Sequence, residues 1–325
     1  MGFYMVDCPG GFMMRICFAW LITMAVVAAG WDVYAALPYD VGTPVLTDIW
    51  VDPVNGNDGR TGATRAQALR SVNAAWARIP QGVALSTTGY RVMLVAGDHT
   101  AAPAWWEGRY GTRQFPVIIQ SADGTHAARM PNLDVFDCRY FYLIGLHIRA
   151  AGGDALHFAS CRNILVRQVK VEGVGNIWNY EGPQEATKVN QSQYVYIENS
   201  DISGGWDNAV DFVAVQYGHV INSRIHRGLD WCMYLKGGSS YFTVEGNEFF
   251  DGGTGGFTAG QGTGFEFMIN PWLHYEAENI KFINNVVHHT GTAGVGVNGG
   301  YNILIAYNTL YKAGTNDHAI EVVQG

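Results

Sequence analysis

Hydrophobic and polar positions along this chain repeat with a period of about one short coil. Seven apolar segments close on Ile148, Val171, Ile202, Ile225, Phe249, Val287 and Leu310, at separations of 23, 31, 23, 24, 38 and 23 residues. A period in this range marks a solenoid, in which each repeat buries its apolar face against the next. The segments are too short for helical repeats and are rich in Val, Ile, Tyr and Phe, which suits strands. A second strand is predicted after each one. Its inward ladder reads Phe158, Val189, Phe212, Leu235, Phe267, Val297 and Val322. The residue before each member points outward: His157, Lys188, Asp211, Tyr234, Glu266, Gly296 and Glu321. Alternation with period two places one face of each strand in a core.

Two further columns support a tight coil. Asn247, Asn285 and Asn308 each stand two residues before a closing apolar position, where stacked amides can satisfy one another and the backbone. Ten residues before the closing positions stand Cys138, Cys161, Ser192, Val215, Ser239, Ala277 and Gly300, which are small, as an inner corner requires. On these columns the chain resembles the pectate-lyase-like superfamily of right-handed parallel β-helices, over roughly residues 90–325. The segment Trp50-Val-Asp-Pro-Val-Asn-Gly-Asn-Asp-Gly-Arg-Thr-Gly62 is similar to the entry of secreted β-helix proteins from polysaccharide-degrading families. The resemblance implies an all-β solenoid and a carbohydrate-related role. It does not choose among lyases, hydrolases, epimerases, esterases and non-catalytic adhesins. Residues 65–79 read as an amphipathic capping helix, with Ala68, Leu69, Val72, Ala75, Trp76 and Ile79 on its apolar side.

Composition narrows the picture further. With 41 Gly and only 15% charged residues, the 325-residue chain suits a turn-rich β protein. A net charge of −8 leaves no basic footprint for nucleic acid. The uncharged apolar run 16–29 follows Arg15, and Val33-Tyr34-Ala35 offers small residues for cleavage, so 1–35 is expected to be a signal peptide. Met13 or Met14 could be the true start. The run is too short for a membrane span, and the expectation is an exported or cell-surface monomer. Residues 36–100 form the entry and cap, and 101–325 the β-helix. The last strand, Ile320 to Gly325, ends without a cap, so further coils are expected. In an oxidising compartment Cys138 and Cys161, one rung apart, could pair, but parallel neighbours point the same way, so stacked thiols are expected.

Function on a solenoid concentrates in insertions. The step from a closing apolar residue to the next outward residue is 9 at 148–157, 202–211, 225–234 and 287–296, and 11 at 310–321. It is 17 at 171–188 and again at 249–266. Two long turns, 172–187 and 250–265, are therefore expected as the walls of a cleft, with a further bulge over 270–275. The floor would carry Lys188, Asn190, Asp211, Tyr234, Lys236, Glu266 and Asn298. The short turns add Trp206, Asp207, Asn208, His226, Arg227, Asp230 and Trp231.

This mixture fits cleavage of an acidic polysaccharide by β-elimination, which needs a cation at the uronate carboxylate, a base for the C5 proton and an acid for the leaving oxygen. Lys236 and Lys188 are the expected bases or cations, with Asp211, Tyr234, Arg227 and His226 completing the catalytic set. Asp207, Asp211, Asp230 and Glu266 could supply oxygens to Ca²⁺, similar in kind to β-helix lyases that pair Ca²⁺ with a Lys or Arg base. Asn190, Asn298, Trp206, Trp231, Trp178, Tyr180 and Trp272 are candidate sugar contacts. Two alternatives stand beside this reading. One is a glycosidase using paired carboxylates such as Asp211 with Asp230 or Glu266. The other is a binding solenoid, whose outward charges are cross-strand ion pairs and whose aromatics only pack.

Overall fold

A computed structural model describes residues 36–325 except 151, 174, 181–182, 269–273 and 324–325. The expected signal peptide lies outside the described residues. Three parallel sheets run the length of the molecule, one of ten strands and two of nine, and consecutive coils pair in order. The first sheet opens with Leu46–Val51 and Gly89–Leu94, so the entry segment supplies its first rungs. The second sheet carries the seven closing residues, Ile148, Val171, Ile202, Ile225, Phe249, Val287 and Leu310, in one unbroken register. The chain is a right-handed parallel β-helix. Among the described residues no helix is long and apolar enough to cross a membrane.

The core fills the space between the sheets. Phe158, Val189, Phe212 and Leu235 stack in register on the third sheet and are buried. Phe212 meets Phe242 edge to face at 5.6 Å, and Phe257 stacks on Phe282 at 4.4 Å. The asparagine column behaves as the spacing predicts. Asn285 Oδ1 accepts from the Asn247 backbone N–H at 2.9 Å, and Asn308 Oδ1 accepts from that of Asn285 at 2.8 Å. Serines continue the column, since Asn247 Oδ1 accepts from Ser223 N–H and Ser223 Oγ from Ser200 N–H. Each coil thus has one corner donor satisfied by its neighbour. Cys138 and Cys161 are free, buried thiols, with the Cys138 N–H directed at Cys161 Sγ.

Two expectations need correction. The capping helix is not continuous over 65–79. A short 3₁₀ turn, Arg65–Gln67, precedes a helix of five residues, Val72–Trp76, capped by Ser71 Oγ accepting from Ala74 N–H. Between them the Leu69 backbone is drawn into the first strand, donating to Trp50 and accepting from Asp52. The apolar side is nevertheless buried, with Leu69, Val72, Ala75, Trp76 and Ile79 all in the core.

The second correction concerns register. The rung after Tyr234 and Leu235 is Thr258 and Ala259, not Glu266 and Phe267. Its strand is Gly255–Ala259, reached from Phe249 by the usual short turn. The reason is packing from the coil below. The Trp231 ring lies over Gly255 and Gly296, and a Cβ at Gly255 would fall 2.1 Å from a ring carbon. A pattern search for apolar side chains passes over a strand whose outward cover is donated by a neighbour. Phe265–Phe267 is instead an exposed 3₁₀ turn, and the extra residues sit between Ala259 and Ala277.

Candidate functional site

The outward row of the third sheet runs Asp134, His157, Lys188, Asp211, Tyr234, Thr258, Gly296, Glu321. Two residues further along each strand a second row brings Asn190, Val213 and Lys236 side by side. Insertions rise at both ends of these strands. On the entering side stand Gln184, Glu185 and Asp207, and on the leaving side Gly262, Thr263, Gly264 and Phe267, enclosing a cleft of about 330 Å³. The walls therefore flank the strands end to end, and the groove runs along the stack of coils. The sequence had suggested two walls at one corner. The first, 172–187, stands where expected. The second arises from the opposite corner because of the register shift at Thr258.

The leaving wall is fastened by a residue that sequence reasoning missed. Glu276 accepts from Thr263 N–H and Oγ1 and from Gly237 N–H, at 2.7–2.9 Å. Asn298 does not face the cleft freely, since its amide donates to Gln261 Oε1 at 3.3 Å.

At the floor, Lys188 Nζ lies 2.9 Å from Asp211 Oδ2 and 3.5 Å from Glu185 Oε1. Both carboxylates are buried, Glu185 at 0% and Asp211 at 1% exposure. Glu185 Oε2 also accepts from the Asn208 N–H at 2.9 Å. Two carboxylates around one ammonium cannot all ionise cheaply in a dry pocket. Burial, and then the neighbouring Asp211, pushes Glu185 up to about 9, with Lys188 opposing. Burial likewise raises Asp211 against the pull of Lys188. Lys188 itself is held above its ordinary value, because Asp211 and Glu185 outweigh its own burial. Burial thus favours a proton retained among the carboxyl groups, while the Lys188 ammonium favours their ionised forms. Glu185 was another omission of the sequence reading, which placed it in the inserted wall without a role. Its position three residues before Lys188 was the only signal.

Tyr234 is buried beside this cluster. Burial, then the charges of Asp211, Glu185 and Asp207, keep its phenol protonated far above the usual range. Lys236 Nζ lies 4.2 Å from the Tyr234 ring centroid. Among the described residues Lys236 forms no ion pair with a carboxylate. Asp207 stands on the wall, accepting from Gln184 Nε2 at 3.2 Å.

The structure therefore unites Lys188, Asn190, Asp207, Asp211, Tyr234 and Lys236 around one cleft. His226 lies on the second sheet, stacked on Phe250 at 4.3 Å and bonded to Asp201. Arg227 donates to the Gly175 carbonyl and lines a different groove with Trp178, Asp251 and His289. Trp231 is core, covering glycines. Trp206 and Tyr180 meet at 5.7 Å at the outer edge of the entering wall, and Tyr180 is exposed. Trp272 lies outside the described residues. The expected Ca²⁺ ligands do not fit a shared ion. Glu266 is exposed outside the cleft, Asp211 is engaged by Lys188, and Asp230 is half-buried with its carboxyl raised by partial burial and bonded to Thr254. Among the described residues no group of three His, Cys, Asp or Glu side chains is placed to hold a metal.

Comparison with known proteins agrees with the architecture. Residues 135–310, over half the chain, match the family described as the right handed beta helix region. No curated protein matches the sequence. Among solved structures, pectate lyase Pel9A superposes with a TM-score of 0.56 at 14% identity, covering 88% of this chain and 78% of that one. A GH136 lacto-N-biosidase from Eubacterium ramulus gives 0.53 at 11% identity, over 82% of this chain and 56% of that one. An alginate lyase from Paenibacillus sp. str. FPU-7 gives 0.49 at 16% identity, over 77% and 96%. At these identities the likeness is one of fold.

Proposed function

Since the chain belongs to the right-handed β-helix family, we propose that it is an exported, carbohydrate-active member that binds an acidic polysaccharide along its third sheet and cleaves it by β-elimination. The observation carrying this reading is the division of labour between two lysines in one cleft. Lys188 is neutralised inside a carboxylate cluster, whereas Lys236 is not ion-paired among the described residues. A free amine on the floor is suited to meet an acidic sugar. The groove follows the coils, so a long chain laid in it would pass one rung about every 4.8 Å.

In this reading Lys236 takes the proton from C5 of the uronate and returns it to solvent. The C4–O bond breaks, its electron pair leaves with the oxygen, and a C4–C5 double bond forms. Tyr234 gives its phenolic proton to the leaving oxygen and is reprotonated from solvent. The Lys188 cluster holds Asp211 beside the phenol and sets its protonation. Among the proteins sharing the fold, one is a pectate lyase and another a lacto-N-biosidase by name, so both elimination and glycoside hydrolysis occur on such scaffolds.

One observation favours hydrolysis as a second reading. Glu185 and Asp211 both sit above the ordinary carboxylate range, as a general acid requires, and Asp207 is a carboxylate on the adjoining wall. Purified protein incubated with pectic, alginate and glycosaminoglycan polymers separates the two. A rise in near-ultraviolet absorbance, unaffected by a calcium chelator and lost in Lys236→Ala, is the expected result. New reducing ends without absorbance would replace elimination by hydrolysis, and loss of the signal in chelator would refute the lysine-based reading.

A further inference from the structure

The segment from Ala36 to Val45 runs as a strap across the outer face of the first sheet. Tyr39 is its central clasp. Its ring stacks on Tyr196 at 4.5 Å, its hydroxyl bonds that of Tyr142 at 2.9 Å, and its carbonyl accepts from Arg167 Nη2 at 2.6 Å. Its N–H donates to Glu198 Oε1 at 2.6 Å. Glu198 is wholly buried, also bonded by Arg167 at 2.6 Å and His219 at 2.8 Å. Asp40 further anchors the strap by accepting from Arg113. The other end of the strap meets a second carboxylate. The nitrogen of Ala36 donates to Glu245 Oε2 at 2.7 Å, while Glu245 Oε1 accepts from Asn284 Nδ2 at 3.1 Å. Glu245 is only 8% exposed.

A buried carboxylate met, among the described residues, only by two neutral amides, those of Ala36 and Asn284, is unevenly matched, because ionised acceptors are best met by charged donors. The Ala36 nitrogen follows directly on the small-residue stretch Val33-Tyr34-Ala35 that closes the expected signal peptide. We propose that the peptide bond between Ala35 and Ala36 is hydrolysed during export, and that the new α-ammonium of Ala36 is the intended partner of Glu245. An endopeptidase of the signal-peptidase type would supply the cut. Water adds across the amide, the C–N bond breaks, Ala35 departs as a carboxylate, and the released amine takes a proton. The charge then appears at the atom already seated 2.7 Å from Glu245 Oε2. Processing would thus complete the strap rather than merely release the protein.

The first test is the intact mass and N-terminal sequence of the chain exported by a host cell. A start at Ala36 is expected, and a start at any other residue overturns the proposal. The second test reads the ion pair. Glu245→Gln keeps the hydrogen bond but removes the charge, so the melting temperature should fall by about 2–4 °C at pH 7. An α-amine titrates near 7.7–8.0 when unfolded, and a carboxylate partner raises that value in the folded state. Its stabilisation is therefore complete below about pH 7.7 and fades as pH rises through the folded value. The gap between the two proteins should shrink from pH 7 to pH 10. The same strand and its neighbours also carry Tyr194, Tyr196, Glu198, Tyr217, His219, Tyr241, Glu278 and Lys281, and both proteins keep these groups, so their titration cancels in the gap. A protein that begins at Ala36 but shows the same gap at both pH values would refute the ion pair.

Discussion

Glu185→Gln offers the sharpest test of the buried cluster, because it should stabilise the fold while impairing the site. The unfolded carboxyl releases its proton near pH 4.3, whereas burial and Asp211 hold the folded one protonated to about 9. Between these values the unfolded state carries fewer protons, so the stability of the native protein falls as pH rises. Gln cannot ionise and lacks this slope. From pH 5 to pH 8 the ceiling on the difference is about 4 kcal/mol, at roughly 1.4 kcal/mol per pH unit. Asp211 shares the proton through Lys188, so a difference of roughly 2–4 kcal/mol is expected. At about 2–4 °C per kcal/mol, the variant should gain roughly 4–16 °C on the native protein between the two pH values. Thermal unfolding followed by circular dichroism at pH 5 and pH 8 measures this. Any pH-independent cost of fitting the amide against Asn208 N–H cancels in the comparison. Equal shifts at the two pH values would show that Glu185 is ionised in the fold and that the retained proton does not exist.

Lys236→Ala should lower kcat/KM at least about 100-fold, the usual scale of a lost acid–base group, while leaving Tm nearly unchanged, because the side chain only overlies a ring. Phe212→Ala removes a fully buried ring set edge to face against Phe242 and should cost about 3–5 kcal/mol in denaturant unfolding. Gly255→Ala should destabilise markedly, since its Cβ would fall 2.1 Å from the Trp231 ring, and adding Trp231→Ala should recover part of the loss. Additive effects in that double-mutant cycle, within about 0.5 kcal/mol, would contradict the register that places Gly255 under Trp231.

Most of the fold could be read from the chain because a parallel solenoid repeats its constraints. The closing residues from Ile148 to Leu310 and the asparagines 247, 285 and 308 each face their equivalents one coil away, so local spacing reports long-range contact. The reading failed where a coil borrowed from its neighbour. Gly255 and Gly256 carry no side chain to count, and their cover comes from Trp231 and Val287 on adjacent coils. The same shortcoming hid Glu185 and Glu276. A carboxyl in an insertion looks like any solvated charge until the fold shows Lys188 and Asn208 closing on the first and Thr263 on the second. The misplaced insertion also changed the direction of the groove. Walls at one corner would have framed a substrate lying across the strands. Walls at opposite strand ends open the cleft along the stack instead, so His157 and Asp134 continue the row beyond Lys188 on one side, whereas Trp231 closes over Thr258 and Gly296 beyond Tyr234 on the other. In that orientation the spacing of the rungs, rather than the width of any one coil, decides which sugars meet Lys236 together.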